Sequence, residues 1–515
     1  MSDSSHSRSL PLSFSFGAFS NLLPRHLALK SSRYNVWIEK DGDCLLFNTL
    51  YGSISVMENG DRVDAISLLN GSSPSNRNRM LWEQLVEQKH IVAETTDELG
   101  ILRHRKHAGI CDKNTLHVIL MPTLNCNFRC LYCYEEHKPT RMDGQVVEAL
   151  KMWLESEIPL HKVTMLHWFG GEPLLEYRHV LEISRHVRDT ARDSGALVIL
   201  HMTTNGYLLS ARRARELTEA GLRDFQITLD GPQKQHDAFR VLSSGLGTFK
   251  KIFENVCLLA RTDRNVRITL RVNFNQTNLQ SIPELLEAFP VQIRPQLRVA
   301  FEPIFGDSAM SAVRNIPGSV LSEHLAEYSE SAKSLGYDVI FGLSAVHPGK
   351  LVYCYAEREH QYIVGPDGNV YKCSVCDFDE TDKVGWLGPD GTIHKDDKKW
   401  AKWIGDDLFA KECVTCVYLP LCMGGCRRAR MQPDRSDDCS LVATNASYLL
   451  KQIAFGQLGN AFTGCAEEAM KVIAKPVSEK QVLESTQKKT TPEKIHAGMV
   501  AKAECCVDHL CGCRK

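Results

Sequence analysis

A chain of 515 residues with 43% apolar residues is too long for one ordinary hydrophobic core and apolar enough to bury about two to four of them. Its formal net charge of −1 gives no case for a nucleic-acid backbone or an anionic membrane as the main partner. No run of about 18 apolar residues occurs, so no membrane span is expected. The 19 cysteines, in a long chain without an evident export signal, point to metal binding in the cytoplasm rather than to disulfides.

Residues 1–33 read as a mobile arm, because Ser, Asn and Pro interrupt the mildly apolar stretch from Leu10 to Leu23. Residues 34–110 read as a small α+β module. Tyr34 to Ile38 and Leu45 to Phe47 flank Asp41-Gly42, a hairpin signal, and Ile54 and Val56 alternate with serines as a third strand would. Leu81, Leu85 and Val86 then recur at helical spacing.

Over 111–345 the pattern alternates between strand and helix. Strand candidates begin near Leu116, Thr164, Leu197, Phe225, Val266 and Leu297. One helix candidate opens near Asp143 with Val147, Leu150 and Leu154; another carries Val180, Ile183 and Val187. A third ends at Gly221, a C′ glycine, and a fourth carries Phe249, Ile252, Phe253 and Val256. Such alternation favours a parallel sheet with right-handed crossovers. Six units are too few for a closed eight-stranded barrel, so the expected fold class is α/β with a partial (β/α)6 barrel. Residues 346–460 are irregular and rich in Gly and Cys. Residues 461–515 read as a helical or disordered tail ending in Cys505, Cys506, Cys511 and Cys513, beside His509.

Cys126, Cys130 and Cys133 have the spacing C-x3-C-x2-C and follow the first barrel strand, at the rim where βα barrels keep their chemistry. Three thiolates can hold three irons of a cubane and leave the fourth iron open. A structural zinc site would want a fourth ligand at matched spacing, and only His137 stands near.

These residues, with Tyr132 in the aromatic position, resemble the signature of the radical SAM superfamily. That resemblance implies a [4Fe-4S] cluster whose open iron chelates S-adenosyl-L-methionine, and reductive cleavage to a 5′-deoxyadenosyl radical. It implies an electron donor such as flavodoxin or ferredoxin. The likeness runs on through Phe169-Gly170-Gly171-Glu172-Pro173, Thr203-Thr204-Asn205-Gly206, Thr228-Leu229-Asp230-Gly231 and the stretch holding Asn273, each at the end of a strand candidate. By that resemblance Tyr132, Gly170, Gly171, Glu172, Thr204, Asn205, Thr228, Asp230, Arg240 and Asn273 are cofactor contacts, the glycines allowing close backbone approach. His236 and Asp237 are candidate acid–base residues that read equally as loop-orienting groups, and Arg240 is a candidate partner for a carboxylate.

Cys354, Gly368 and Cys373, then Cys413, Cys416, Cys422, Cys426 and Cys439, match the spacing of the SPASM branch of that superfamily. The resemblance implies two auxiliary [4Fe-4S] clusters, one held by Cys354, Cys373 and Cys426, the other by Cys413, Cys416, Cys422 and Cys439. Cys376 is either a fourth ligand of the first or a spare thiol that leaves an iron open to a substrate thiolate.

SPASM proteins resembling this one act mostly on peptides or proteins. One subclass cross-links ribosomally made precursor peptides (RiPP maturases) through thioether or carbon–carbon bonds. Another, the anaerobic sulfatase-maturating enzymes, oxidises Cys or Ser to formylglycine. The module at 34–110 looks like the element by which many maturases capture a precursor through strand addition. Ser374 after Cys373 departs from the Asp that sulfatase-maturating enzymes carry there, although Asp377, a further catalytic candidate, follows Cys376. Cross-linking is therefore the expected chemistry, with formylglycine formation the alternative and a non-catalytic iron–sulfur scaffold or redox sensor the second alternative.

Overall fold

The computed structural model describes residues 28–40, 43–57, 60–304, 318–340, 349–405 and 408–431. The Asp41-Gly42 turn, Cys439, and the tail with its four terminal cysteines lie outside the described residues. The chain divides into two compact units, Met1–Glu98 and Leu99–Lys515.

In the first unit, β1 (Leu29–Ser31) pairs antiparallel with β5 (Ile91–Ala93). A second sheet is the antiparallel meander β2 (Asn35–Lys40), β3 (Asp43–Asn48) and β4 (Ile54–Met57). Two helices follow, α1 (Asp61–Leu69) and α2 (Arg79–Glu87). The alternation read at Ile54 and Val56 is real. Val56 is 67% exposed while Met57, on the other face, joins Cys44, Leu46, Ala65, Leu68, Leu85 and Ile91 in the core of this unit. Among the described residues β4 pairs with β3 alone.

The second unit is reached through α3 (Glu98–Ile110). Its frame is β6 (Thr115–Leu120), α4 (Gly144–Glu157), β7 (Val163–Trp168), α5 (Tyr177–Ser194), β8 (Leu197–Thr204), α6 (Ala211–Glu219), β9 (Leu222–Thr228), α7 (Gln233–Phe239), α8 (Phe249–Thr262), β10 (Arg267–Phe274), α9 (Ile282–Ala288) and β11 (Leu297–Pro303). Each strand pairs in parallel with the next, as the six predicted starts require. The helices begin for local reasons. Asp143 accepts the N–H of Val146 at 2.9 Å and caps α4, and the Ser210 hydroxyl does the same for Arg213 N on α6 at 3.3 Å. Gly221, at φ +99, closes α6 as expected.

The sheet continues past both ends of this frame. At one end β12 (Asp338–Ile340), which follows α10 (Gly318–Ser334), pairs in parallel with β11. At the other, β13 (Gln361–Val364) pairs in parallel with β6 and leads through β14 (Asn369–Tyr371) and β15 (Gly385–Leu387) to β16 (Ile393–Lys395). Among the described residues eleven strands form one sheet in which β12 and β13 do not meet, so the barrel is partial. The segment read as irregular thus adds four short strands, and α11 (Asp397–Ile404), α12 (Leu419–Cys422) and α13 (Arg427–Met431). Tyr362, Val370 and Trp400 from it share the main core with Leu120, Trp153 and Leu154. Gly368 is the left-handed residue, φ +77, of the β13–β14 turn that delivers Cys373.

One face of the frame strands is apolar and packs in the main core, as with Val118, Leu166, Met202, Phe225 and Leu270. The alternate residues are polar. Arg298 reaches both oxygens of Asp224 at 3.0 and 3.1 Å, and His201 Nδ1 lies 3.3 Å from Oδ1. Burial pushes the Asp224 carboxyl up, but His201 and Arg298 outweigh it and hold it below its ordinary range. No helix among the described residues is long and apolar enough to cross a membrane.

Candidate active site

The loop after β6 carries Cys126, Cys130 and Cys133, and the segment after β7 fixes its course. Gly171 N donates to Thr123 O at 3.1 Å and Glu172 N to Asn125 O at 2.9 Å. A Cβ on Gly170 would stand 2.4 Å from Thr123 O, and one on Gly171 2.2 Å from Asn125 O. The glycine pair is therefore required by the cysteine loop itself.

Glu172 is fully buried. Its Oε1 accepts from Leu174 N at 2.9 Å and from the Thr204 hydroxyl at 2.8 Å, and its Oε2 accepts from Asn205 N at 2.8 Å. Burial raises its pKa, and those hydrogen bonds oppose the shift. Asn205 Nδ2 reaches Asn127 Oδ1 at 2.8 Å and the Cys126 sulfur at 3.8 Å. The expected cofactor residues Glu172, Thr204 and Asn205 thus form one bracket behind Cys126. Asn127, which sequence reasoning missed, completes it.

A second bracket stands behind Cys130 and Cys133. The Tyr132 hydroxyl donates to Asp230 Oδ2 and accepts from Arg240 at 2.8 Å and from Asn273 Nδ2 at 3.0 Å. Asp230 Oδ1 accepts Asn273 N at 3.1 Å. Arg240 meets its carboxylate through the phenol, and its guanidinium also lies 5.7 Å from the Phe128 ring. Thr228, the last residue of β9, is paired in register with Arg271.

His236 is fully buried. Its Nδ1 accepts Asp230 N at 3.2 Å, which leaves Nε2 to donate to the Thr248 hydroxyl at 3.0 Å; that hydroxyl donates to Arg240 O at 2.7 Å. Burial, with the charge of Arg240, drives its pKa well below the usual value, so the ring is neutral. Asp237 Oδ1 accepts the N–H groups of Thr248 and Phe249 at 2.7 and 2.9 Å and caps α8. Both residues brace the second bracket.

The donor set suits an iron–sulfur cluster. Burial pushes the half-buried Cys126 thiol up to about 12 and raises Cys130, so ionisation there requires a compensating positive charge, while Cys133 stands exposed at the mouth of the loop. Phe128 N points at the Cys126 sulfur at 3.4 Å, as main-chain donors do toward cluster thiolates. The Arg240 charge favours the Cys130 thiolate, and its buried Nε has no hydrogen-bond partner among the described residues. Every described cysteine is a free thiol. No three His, Cys, Asp or Glu side chains among the described residues converge as a single metal ion would need.

Cys354, Cys373 and Cys376 are buried, and Tyr355 lies within electrostatic reach of the first two. Val375 N approaches the Cys373 sulfur at 3.4 Å. Cys413, Cys416 and Cys426 are half-buried. After Cys422 the backbone takes three left-handed residues, Met423 at φ 51, Gly424 at φ 91 and Gly425 at φ 72, so that Gly424 N points back at the Cys422 sulfur at 3.4 Å.

Ser374 is fully buried with its hydroxyl 2.7 Å from that of Tyr355. Asp377 is different. Its side chain is 46% exposed, 3.6 Å from Arg428, and its carbonyl accepts Lys138 Nζ at 2.8 Å. It lines a hollow with Cys376, Phe378, Leu124, Glu135 and Lys138, and so lies beside the segment that follows Cys133, which it meets through that carbonyl.

Over residues 120–289 the chain matches the family model described as the Radical SAM superfamily. It is 22% identical over 180 residues to the Fe-coproporphyrin III synthase of Methanosarcina barkeri, a match that covers 35% of this chain and 42% of that protein. It is 24% identical over 327 residues to the PqqA peptide cyclase of Rhodopseudomonas palustris, covering 61% of this chain and 82% of the cyclase. The chain thus spans less than half of the first relative and most of the second. Among solved structures it is similar to anSMEcpe with bound AdoMet and the Kp18Cys peptide, with TM-score 0.54 and 20% identity over 68% of this chain and 99% of that one. That likeness concerns the fold.

Proposed function

We propose that this chain, which belongs to the radical SAM superfamily through residues 120–289, oxidises a cysteine or serine side chain of a peptide or protein to formylglycine. The observation that carries the reading is Asp377, which follows Cys376, lies beside the segment after Cys133 and has a half-exposed carboxylate. It supports Cys376, rather than Cys373, as the counterpart of the auxiliary cysteine that sulfatase-maturating enzymes follow with Asp. The fold of anSMEcpe, by its name an enzyme of that kind, supports it further. This reverses the subclass expected from Ser374, whose buried hydroxyl is occupied by Tyr355.

Cys126, Cys130 and Cys133 would hold the first cluster. Cys354, Cys373, Cys376 and Cys426 would hold one auxiliary cluster, and Cys413, Cys416 and Cys422 with Cys439 the other. When bound, the first cluster and S-adenosylmethionine supply an adenosyl radical that takes a hydrogen atom, and an auxiliary cluster takes the remaining electron. The protein's part is positional. The Glu172 and Tyr132 brackets keep the loop in place, and Asp377 takes the proton of the substrate thiol or hydroxyl; serine then gives the aldehyde directly, whereas the thioaldehyde from cysteine is hydrolysed by water with release of hydrogen sulfide. The proposed division is capture at 34–110, radical chemistry at 111–345 and auxiliary clusters at 346–460, with a flavodoxin or ferredoxin as electron donor.

A second reading is peptide cross-linking, favoured by the PqqA peptide cyclase match and by β4, with Val56 exposed at the rim of its sheet. Anaerobic incubation with a cysteine-containing sulfatase peptide separates the two. An aldehyde that depends on S-adenosylmethionine and disappears in Asp377→Asn is expected. An untouched sulfatase peptide, together with a two-hydrogen mass loss in a precursor peptide, would establish cross-linking instead.

A further inference from the structure

Lys106 of α3 is buried, its side chain 1% exposed, with Nζ 2.6 Å from Glu357 Oε1, which is equally buried. The same oxygen accepts Arg430 at 2.7 Å. Glu357 Oε2 accepts the main-chain N–H groups of Tyr353 at 2.9 Å and Cys354 at 3.4 Å. Lys106 also donates to Met423 O, the carbonyl after Cys422, at 2.8 Å. Arg430 N donates to Cys426 O at 3.1 Å. Each arm of this network therefore ends on a segment that carries a candidate cluster ligand.

The charges do not balance. Among the described residues Glu357 meets two cations, Lys106 and Arg430, so one positive charge of this network is left over. Surplus buried charge is costly unless an anion stands nearby. A cluster held by thiolates is such an anion, and its reduction potential follows the charge around it.

We propose that Lys106, Glu357 and Arg430 are positioning residues for the auxiliary clusters, joining the Cys354 segment to the Cys422–Cys426 segment and raising the potential of the adjacent cluster through their surplus positive charge. The proposal rests on the auxiliary-cluster reading above.

The test uses the full chain with Cys126, Cys130 and Cys133 changed to Ala, so that all iron is auxiliary. Iron per chain and the potential from an electron paramagnetic resonance titration are measured in this parent. The same is done for Lys106→Met, which removes a cation, for Glu357→Gln, which removes the anion, and for the double variant, which restores the original sum. The potential should fall in the first, rise in the second and return toward the parent in the third. A merely structural role would lower iron content without this dependence on sign. Arg430→Gln makes the same charge change as Lys106→Met and replaces it if that variant does not fold. Unmoved potentials in iron-loaded variants would overturn the proposal alone. A parent without iron would overturn it together with the auxiliary-cluster reading.

Discussion

Asn205 touches Glu172 and Cys126 at once: its main-chain N–H donates to the Glu172 carboxylate at 2.8 Å while its side-chain amide reaches the Cys126 sulfur at 3.8 Å. Glu172 therefore acts on the first cysteine through a neighbour. Glu172→Gln puts an NH2 where one oxygen now accepts from the protein, and leaves a buried donor facing donors. We expect a loss of about 1–3 kcal/mol in urea unfolding and lower iron retention at the first cluster.

Gly171→Ala tests the close approach at the glycine pair. A methyl 2.2 Å from the Asn125 carbonyl must displace the cysteine loop, because backbone stands on both sides of the contact. The expected result is loss of the first cluster's visible absorption and iron, with far-ultraviolet circular dichroism of the barrel retained. Gly195→Ala, at a position where nothing lies within 4 Å, supplies a control that feels only its φ of +72.

Tyr132→Phe removes one hydroxyl and three hydrogen bonds, to Asp230, Arg240 and Asn273. The ring still fills its place, so the cost is that of stranded polar partners, about 1–3 kcal/mol. Binding of S-adenosylmethionine should weaken with it, and calorimetric titration of the anaerobic protein measures the change.

The part of the stability that depends on the buried histidines should fall as the medium becomes acid, against Glu135, whose burial raises its carboxyl to about 8 and acts in the opposite sense. Burial lowers His90 to about 4 and holds His167 and His236 well below the ordinary value of 6.5. The unfolded chain takes up protons at these rings below about pH 6.5 while the folded chain does not, so this part of the stability is full above that pH and declines down to the folded values. Each ring contributes a slope of about 1.4 kcal/mol per pH unit in that window. Urea unfolding at pH 7.5, 6.0 and 5.0, compared between the parent and His90→Gln, isolates one ring: the difference between the two slopes should equal that ring's share.

The six frame strands were legible because each is a short apolar run closed by polar residues at a fixed place before a helix, as at Val163–Trp168 ahead of the glycine pair. β13 was not. Gln361–Val364 is four residues long, and its partner β6 lies more than two hundred residues earlier, so no local period announces the pairing. Lys106 was invisible for a different reason: a lysine on a helix with His and Arg neighbours reads as a solvated face, and only the distant Glu357 explains its burial. The glycines and Glu172 were recognised as a motif, but their work on the loop backbone depends on contacts between strand ends, which spacing does not encode.

The parallel pairing of β6 with β13 has a consequence for how the Cys126 loop and the Cys373 segment are held. Cys126 leaves one strand and Cys373 follows a hairpin built on its neighbour, and adjacent strands stand about 4.8 Å apart. The Cys126 loop and the Cys373 segment are thus both anchored to one continuous sheet. A chain cut between them would bare the β6 edge, a raw hydrogen-bonding rim prone to aggregation.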